Sequence, residues 1–213
     1  LVAHFASLGY DSYRLVPGLN LLIPFDLKAT VDGFLLNLFC CKKERATQLE
    51  ADGFLLSAST LKQLKSEVFQ QQVAKKIKTD TYHWHNALTK FPYGAAFEEH
   101  WRKTMSTTHQ SNLEYVIAAY LFSQDEANSI RERFKSLEDS FEEAKKLFNS
   151  MPNTSNSLNL ARIAQSYGAR EIVRKSLNYL QRKISQSQKM SVNQPFLAPS
   201  KRFDTLPVNQ QLG

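Results

Sequence analysis

The chain has 213 residues, 42% of them hydrophobic, and a formal net charge of +7. That length and apolar share allow one packed domain or two small ones, and no apolar run reaches the ~20 residues of a membrane-spanning helix. The basic excess is uneven: residues 1–58 balance at −1, residues 59–190 at +7 and the remainder at +1. A nucleic-acid or acidic partner is compatible with such a middle segment, but a solvated helical surface of mixed sign explains it more simply.

In chain order, Val2 to Leu8 has a helical pattern closed by Gly9, the residue favoured just past a helix end. Residue 1 is Leu rather than Met and already falls inside that pattern, so we expect an α/β domain entered near its end. Asp11 to Val16 reads as a strand, Pro17-Gly18 as a turn and Leu19 to Phe25 as a second, buried strand. Asp32-Gly33 marks another turn, and Phe34 to Cys41 is a third strand candidate. Lys43 to Asp52 returns to helical spacing, with Ala46 and Leu49 on one face and Gly53 at its end.

From Ser59 the strand signals stop. Thr60 to Lys78 reads as one helix, with Leu61, Leu64, Val68, Val73 and Ile77 near helical spacing. Asp80 is a plausible cap for a short helix through Leu88. Pro92-Tyr93-Gly94 reads as a break, followed by a helix over Ala95 to Thr104, and Asn112 to Phe122 is strongly apolar. Ser123 and Glu126 have the spacing of a capping box. The helix expected after them carries Ala127, Ile130, Phe134, Leu137, Phe141, Ala144 and Phe148 in one stripe, which suits packing inside a bundle better than a two-stranded coiled coil.

Met151-Pro152 stops that helix, and Asn153 to Ser157 reads as a polar loop. Leu158 to Tyr167 and Arg170 to Ile184 form a helical hairpin around Gly168, with Leu160, Ile163 and Ala164 facing Ile172, Val173, Leu177 and Leu180. The hairpin is similar to one helix pair of a tetratricopeptide solenoid, without a second copy at that repeat's period. A lone hairpin cannot bury its own face, so it should pack on the long helix before it. From Ser185 the pattern dissolves. Pro195 to Pro199, with Arg202-Phe203-Asp204, suits either an extended strap in a groove or terminal disorder.

Few residue patterns point to chemistry. Among the seven glycines no phosphate-binding G-x-G-x-x-G or G-K-[ST] pattern occurs, and the hydrolase, kinase and metalloprotease signatures are missing. Cys40 and Cys41 are the two cysteines. Neighbours in sequence rarely bridge, and neither has the spaced partners of a zinc site, so a reducing, cytoplasmic setting is expected. His83 and His85 would point apart on a helix, which argues against a shared metal and for hydrogen-bonded histidines. Trp84, Phe91, Tyr93, Phe97 and Trp101 could stack bases, but Trp84, Leu88, Phe97 and Trp101 sit at packing intervals and are expected in a core. Arg14 and Asn37 are polar residues within expected strands and are the two candidates for lining a pocket at a sheet end.

Leu8-Gly9-Tyr10, Tyr13-Arg14-Leu15 and Asn37-Leu38-Phe39 together resemble the C-terminal end of FkbM-type methyltransferases, which close with a helix, a turn, a strand, an insertion and a final strand. The resemblance covers residues 1–58. It implies a Rossmann-like sheet, S-adenosylmethionine as cofactor of the full-length parent, and O-methylation of a sugar or other small hydroxyl acceptor. It transfers no catalytic, cofactor-binding or metal-binding residue to this chain, because the early strands that hold the cofactor are not in it.

The expected organisation is therefore mixed and mainly α. Residues 1–58 are the last helix and strands of a methyltransferase-like α/β domain, 59–187 a helical domain and 188–213 an extended or disordered tail. The expected function is that of a methyltransferase fragment, inactive alone, with the acceptor reached through the parent. The alternatives are a helical module that binds a protein partner and a basic nucleic-acid binder using Lys62, Lys65, Lys75, Lys76 and Lys78.

Overall fold

The computed structural model describes residues 1–26, 32–34, 37–105, 110–186 and 192–208. It is mainly helical, with one small sheet. The chain runs α1 (Val2–Ser7), β1 (Tyr10–Val16), β2 (Leu21–Pro24), β3 (Phe39–Lys42), α2 (Lys43–Ala51), α3 (Ala58–Leu64) and α4 (Glu67–Ile77). It continues through α5 (Trp84–Leu88), α6 (Pro92–Thr104), α7 (Gln110–Gln124), α8 (Ile130–Ser150), α9 (Thr154–Tyr167) and α10 (Arg170–Ser185).

The sheet has the order β2-β1-β3 with both pairs antiparallel. Its register places Arg14 opposite Ile23 and Val16 opposite Leu21 on one face, and Tyr13 opposite Pro24 on the other. Alternation along β1 thus divides the sheet between two cores. Val16, Leu21 and Ile23 join the main core with Leu137, Ile163 and Trp101. Tyr13 packs with Ala46 and Leu55 behind the sheet. The outer edge of β2 is occupied by the segment after α2, which pairs in parallel with Leu22: the Leu22 N–H donates to Phe54 O at 2.9 Å and its carbonyl accepts from Leu56 N at 3.0 Å.

The long helix α8 supplies the wall of the core. Phe134, Leu137, Phe141 and Ala144 are buried along it, as their spacing predicts. The hairpin α9–α10 packs on α8 through α9, turning at Gly168. That glycine has φ +90°, and a Cβ there would meet Leu15 O at 2.9 Å, so both backbone conformation and space exclude a side chain. The main core is continuous across residue 58, since Val16, Leu19, Leu21 and Ile23 share it with Leu64, Trp84 and Leu137.

Several expected boundaries move. The third strand begins at Phe39 rather than Phe34, because Asp32 Oδ1 accepts the Phe34 N–H at 2.9 Å and holds a turn there. Asn37 lies outside that strand, and residues 35–36 are outside the described residues. The helix expected over Thr60 to Lys78 is two, since Ser57 and Ser66 each cap a separate start. Asp80 opens a short 3-10 turn, and His83 is the residue before α5. Pro92 does not break a helix but begins α6 at its first turn, where its missing N–H costs nothing. Gly94 continues that helix because a Cβ would lie 1.9 Å from Leu88 O.

Ser123 does not cap a helix either. It is fully buried, and its hydroxyl donates to Tyr120 O at 2.6 Å within α7. The capping box is six residues on: Ser129 and Glu132 exchange side-chain and backbone bonds at the start of α8, leaving Ala127 before the helix. The polar stretch after Asn153 is the buried first turn of α9, begun by Asn153 Oδ1 accepting Asn156 N–H at 2.8 Å. Leu177, expected inside the hairpin, is 43% exposed. Of the two readings of the tail, the strap applies: Leu197 and Ala198 are buried. Residues 188–191 and 209–213 of that tail lie outside the described residues.

Candidate functional site

Arg14 lies on the helix-facing side of β1, in a cleft of about 380 Å³ between the sheet, α3, α8 and the α9–α10 turn. Its guanidinium stacks over the Tyr167 ring at 4.5 Å and donates from Nη1 to Tyr167 O at 3.0 Å. Tyr167 is held from its other side by Phe141, with the two rings stacked at 4.5 Å. Stacking plus one fixed hydrogen bond orients the guanidinium more tightly than an ammonium could be held. The sheet end and the helical hairpin are thereby joined across 153 residues of sequence.

The cleft also carries acidic groups. Glu138 on α8, Asp26 after β2 and Asp32 all line the cleft, with Lys65 at the end of α3. Burial pushes the Glu138 carboxyl above its usual value. Lys135, 3.6 Å away, pulls it down but does not cancel that rise, and Asp139 adds to it. Asp32 is committed to backbone: besides the Phe34 contact, its Oδ2 accepts the Glu171 N–H at 3.1 Å and so caps α10 from a distant loop. Ile23, Leu64 and Phe134 make the cleft floor apolar. Such a cleft suits a small polar ligand held by hydrogen bonds over an apolar floor. Among the described residues no group of three or more His, Cys, Asp or Glu side chains could hold a metal ion, and no helix is long and apolar enough to cross a membrane.

Of the two expected pocket residues, Arg14 lines the cleft and Asn37 does not; Asn37 is exposed and is not among the cleft residues. Glu138 and Tyr167 were not singled out in the sequence. Nothing in their spacing carries the signal, because they meet Arg14 only through the packing of α8 and α9 on the sheet.

A second cavity, behind the sheet, is bordered by α1, Tyr10 to Tyr13 and Glu50. Glu50 Oε1 accepts from Thr60 Oγ1 at 2.6 Å, Ser57 Oγ at 2.7 Å and Ser57 N at 3.0 Å. Burial acts to raise the Glu50 carboxyl, but these donors outweigh it and hold it below the usual range.

The aromatic cluster is core. Trp101 is fully buried, Trp84 and Tyr93 are nearly so, and Trp84 and Trp101 meet edge to face at 6.1 Å. His85 Nε2 lies 2.7 Å from Glu98 and also contacts Arg102. Of the five lysines considered for nucleic acid, Lys76 is paired with Glu132 at 2.6 Å and Lys65 borders the Arg14 cleft. Comparison with protein-family models, with curated proteins and with solved structures found no match to this chain.

Proposed function

We propose that the chain is the C-terminal part of an S-adenosylmethionine-dependent methyltransferase of the FkbM type, acting on a hydroxyl of a sugar or other small acceptor. In this reading the three strands close the parent's Rossmann-like sheet, and the hairpin α9–α10 is a tetratricopeptide-like pair serving as a buttress. The cofactor is held by the parent's earlier strands, the protein works in the cytoplasm, and residues 1–213 alone are inactive.

The observation that carries the reading is the outer edge of β3. Among the described residues β3 pairs only with β1, whereas the far edge of β2 is already taken by Leu55. An open edge presents unpaired N–H and C=O groups and is normally blunted or covered. Here Phe39 on that strand is 37% exposed. Helix α1, beside β1, has no buried residue. A larger sheet joined at β3, with its layers over α1, would satisfy both.

The test is calorimetric titration of S-adenosylmethionine into residues 1–213 and into the same chain extended by the residues encoded ahead of Leu1. The reading expects binding by the extended protein alone. Binding by residues 1–213 overturns the placement of the cofactor, and binding by neither overturns the methyltransferase reading.

A further inference from the structure

The strap Val192 to Asp204 lies in a groove between α6 and α9 and is held there mostly through its main chain, with side-chain contacts between His100 Nε2 and Asn193 Oδ1 at 2.9 Å and from Asn153 Nδ2 to Gln194 Oε1 at 3.2 Å. Trp101 Nε1 donates to Val192 O at 2.8 Å, Thr104 Oγ1 to Asn193 O, Ser155 Oγ to Gln194 O at 2.8 Å and Asn159 Nδ2 to Pro195 O at 3.2 Å. Asn159 Oδ1 then accepts the Leu197 N–H at 2.7 Å, and Tyr93 OH accepts the Ala198 N–H at 3.3 Å. Arg162 donates from Nη1 to Ala198 O at 3.0 Å and from Nη2 to Asp204 Oδ2 at 2.7 Å.

From Val192 to Ala198 the strap is extended and needs its amides and carbonyls met from outside. Helix side chains meet five of its carbonyls and two of its amides, before Lys201–Phe203 closes a single 3-10 turn with its own backbone bonds. The anchors are apolar. Phe196 stacks on Tyr93 at 5.3 Å and meets Trp101 edge-on at 5.4 Å, while Leu197 is 2% exposed. This is how a peptide site reads its ligand, with main-chain bonds for affinity and pockets for alternate side chains.

The groove's polar side chains are themselves buried. Asn159 and Arg162 are 1% and 4% exposed. These exposures hold with the strap seated. Arg162 also donates from Nε to Tyr120 OH at 2.7 Å, so removing the strap takes from Asn159 and Arg162 the partners it supplies and leaves that one bond. A strand of the same chemistry can replace the tail, and the source that supplies every contact unchanged is another tail.

We propose that the α6–α9 groove is a selective site for an extended Gln-Pro-Phe-Leu-Ala peptide carrying an acidic residue six positions after the Ala, and that it takes the tail of a second copy of this chain by reciprocal exchange. Exchange of that kind conserves each bond and changes only the tether. The tether is short: Ser187 to Ser191 join α10 to the strap. It gives the chain's own tail a high effective concentration, which the second copy must overcome.

The test has two arms. In the first, the full chain is unfolded and refolded with excess fluorescent peptide spanning residues 192–208. Saturable binding is expected, weakened about 100-fold by Leu197→Asp in the peptide, since that pocket offers a carboxylate no partner. Absence of binding, or equal binding of both peptides, overturns the site. In the second arm, residues 188–190 are deleted from the full chain and its mass is read by light scattering. A folded species of twice the chain mass is expected, and a folded single chain overturns the second-copy occupant. Should that variant fail to fold, tagged and untagged full chains are refolded together at high concentration. Capture of the untagged copy supports the exchange, and its absence overturns it.

Discussion

Glu50 Oε1 accepts three hydrogen bonds that tie the end of α2 to the start of α3. Glu50→Gln is expected to destabilise the chain by about 1–3 kcal/mol, the range for leaving buried donors poorly met, measured by urea unfolding. Because the folded carboxyl is held below its ordinary value, its contribution is full above that value and is lost as the pH falls through the lowered one. The variant should therefore lose less stability than the wild type on acidification. Glu138 has the opposite sign. Its folded value is raised, so stability falls as the pH rises from the ordinary carboxylate value through the raised one. Glu138→Gln should accordingly melt higher than the wild type at about pH 7 and no higher at about pH 3, below both values, read by circular dichroism. Arg14 was legible in the sequence as a polar residue in a strand; Glu138 and Tyr167 were not, because long-range packing leaves no local pattern.

The elements differ in how well their ends could be read. Apolar periodicity located α8 and the hairpin, since a face that must be buried repeats along the helix. Caps were harder, because Ser, Asp and Asn are common in many settings and only a backbone N–H in reach makes one a cap. The box expected at Ser123 and Glu126 and the one formed at the start of α8 by Ser129 and Glu132 can be told apart by substitution. Ser129→Ala should cost about 1 kcal/mol, while Glu126→Ala, at an exposed position outside the helix, should stay within about 0.5 kcal/mol of the wild type. Chemical denaturation of the two variants side by side measures the difference. Pro92 teaches the same lesson: a proline that reads as a break is equally a helix start, and Gly94 is tolerated there because the helix presses on Leu88 O.

On the scale of the molecule, the sheet and the helices share one apolar core. Val16, Leu19, Leu21 and Ile23 contact it from before residue 58, and Leu64, Trp84, Trp101 and Leu137 from after. The full chain is therefore expected to unfold in a single calorimetric transition. Residues 59–213 alone should show no cooperative transition, because removing the sheet bares one side of that core. A cooperative melt of the shorter chain would contradict this account. The strap closes another side, so Arg162→Met should cost about 3–5 kcal/mol by leaving Asp204 half-buried without its partner, measured by urea unfolding.

Composition and periodicity by themselves determined that the chain is mainly helical with a few short strands near its start, and that the Trp84–Trp101 aromatics are core. These properties follow from local spacing: which residues fall on one side of a helix or strand is fixed before anything packs. Only the tertiary structure decided that Arg14 meets Tyr167, that Asp32 caps α10, and that Asn159 and Arg162 grip the tail. Those contacts join residues 36 to 153 positions apart, and their energy exists only once helices and sheet have closed around a shared core.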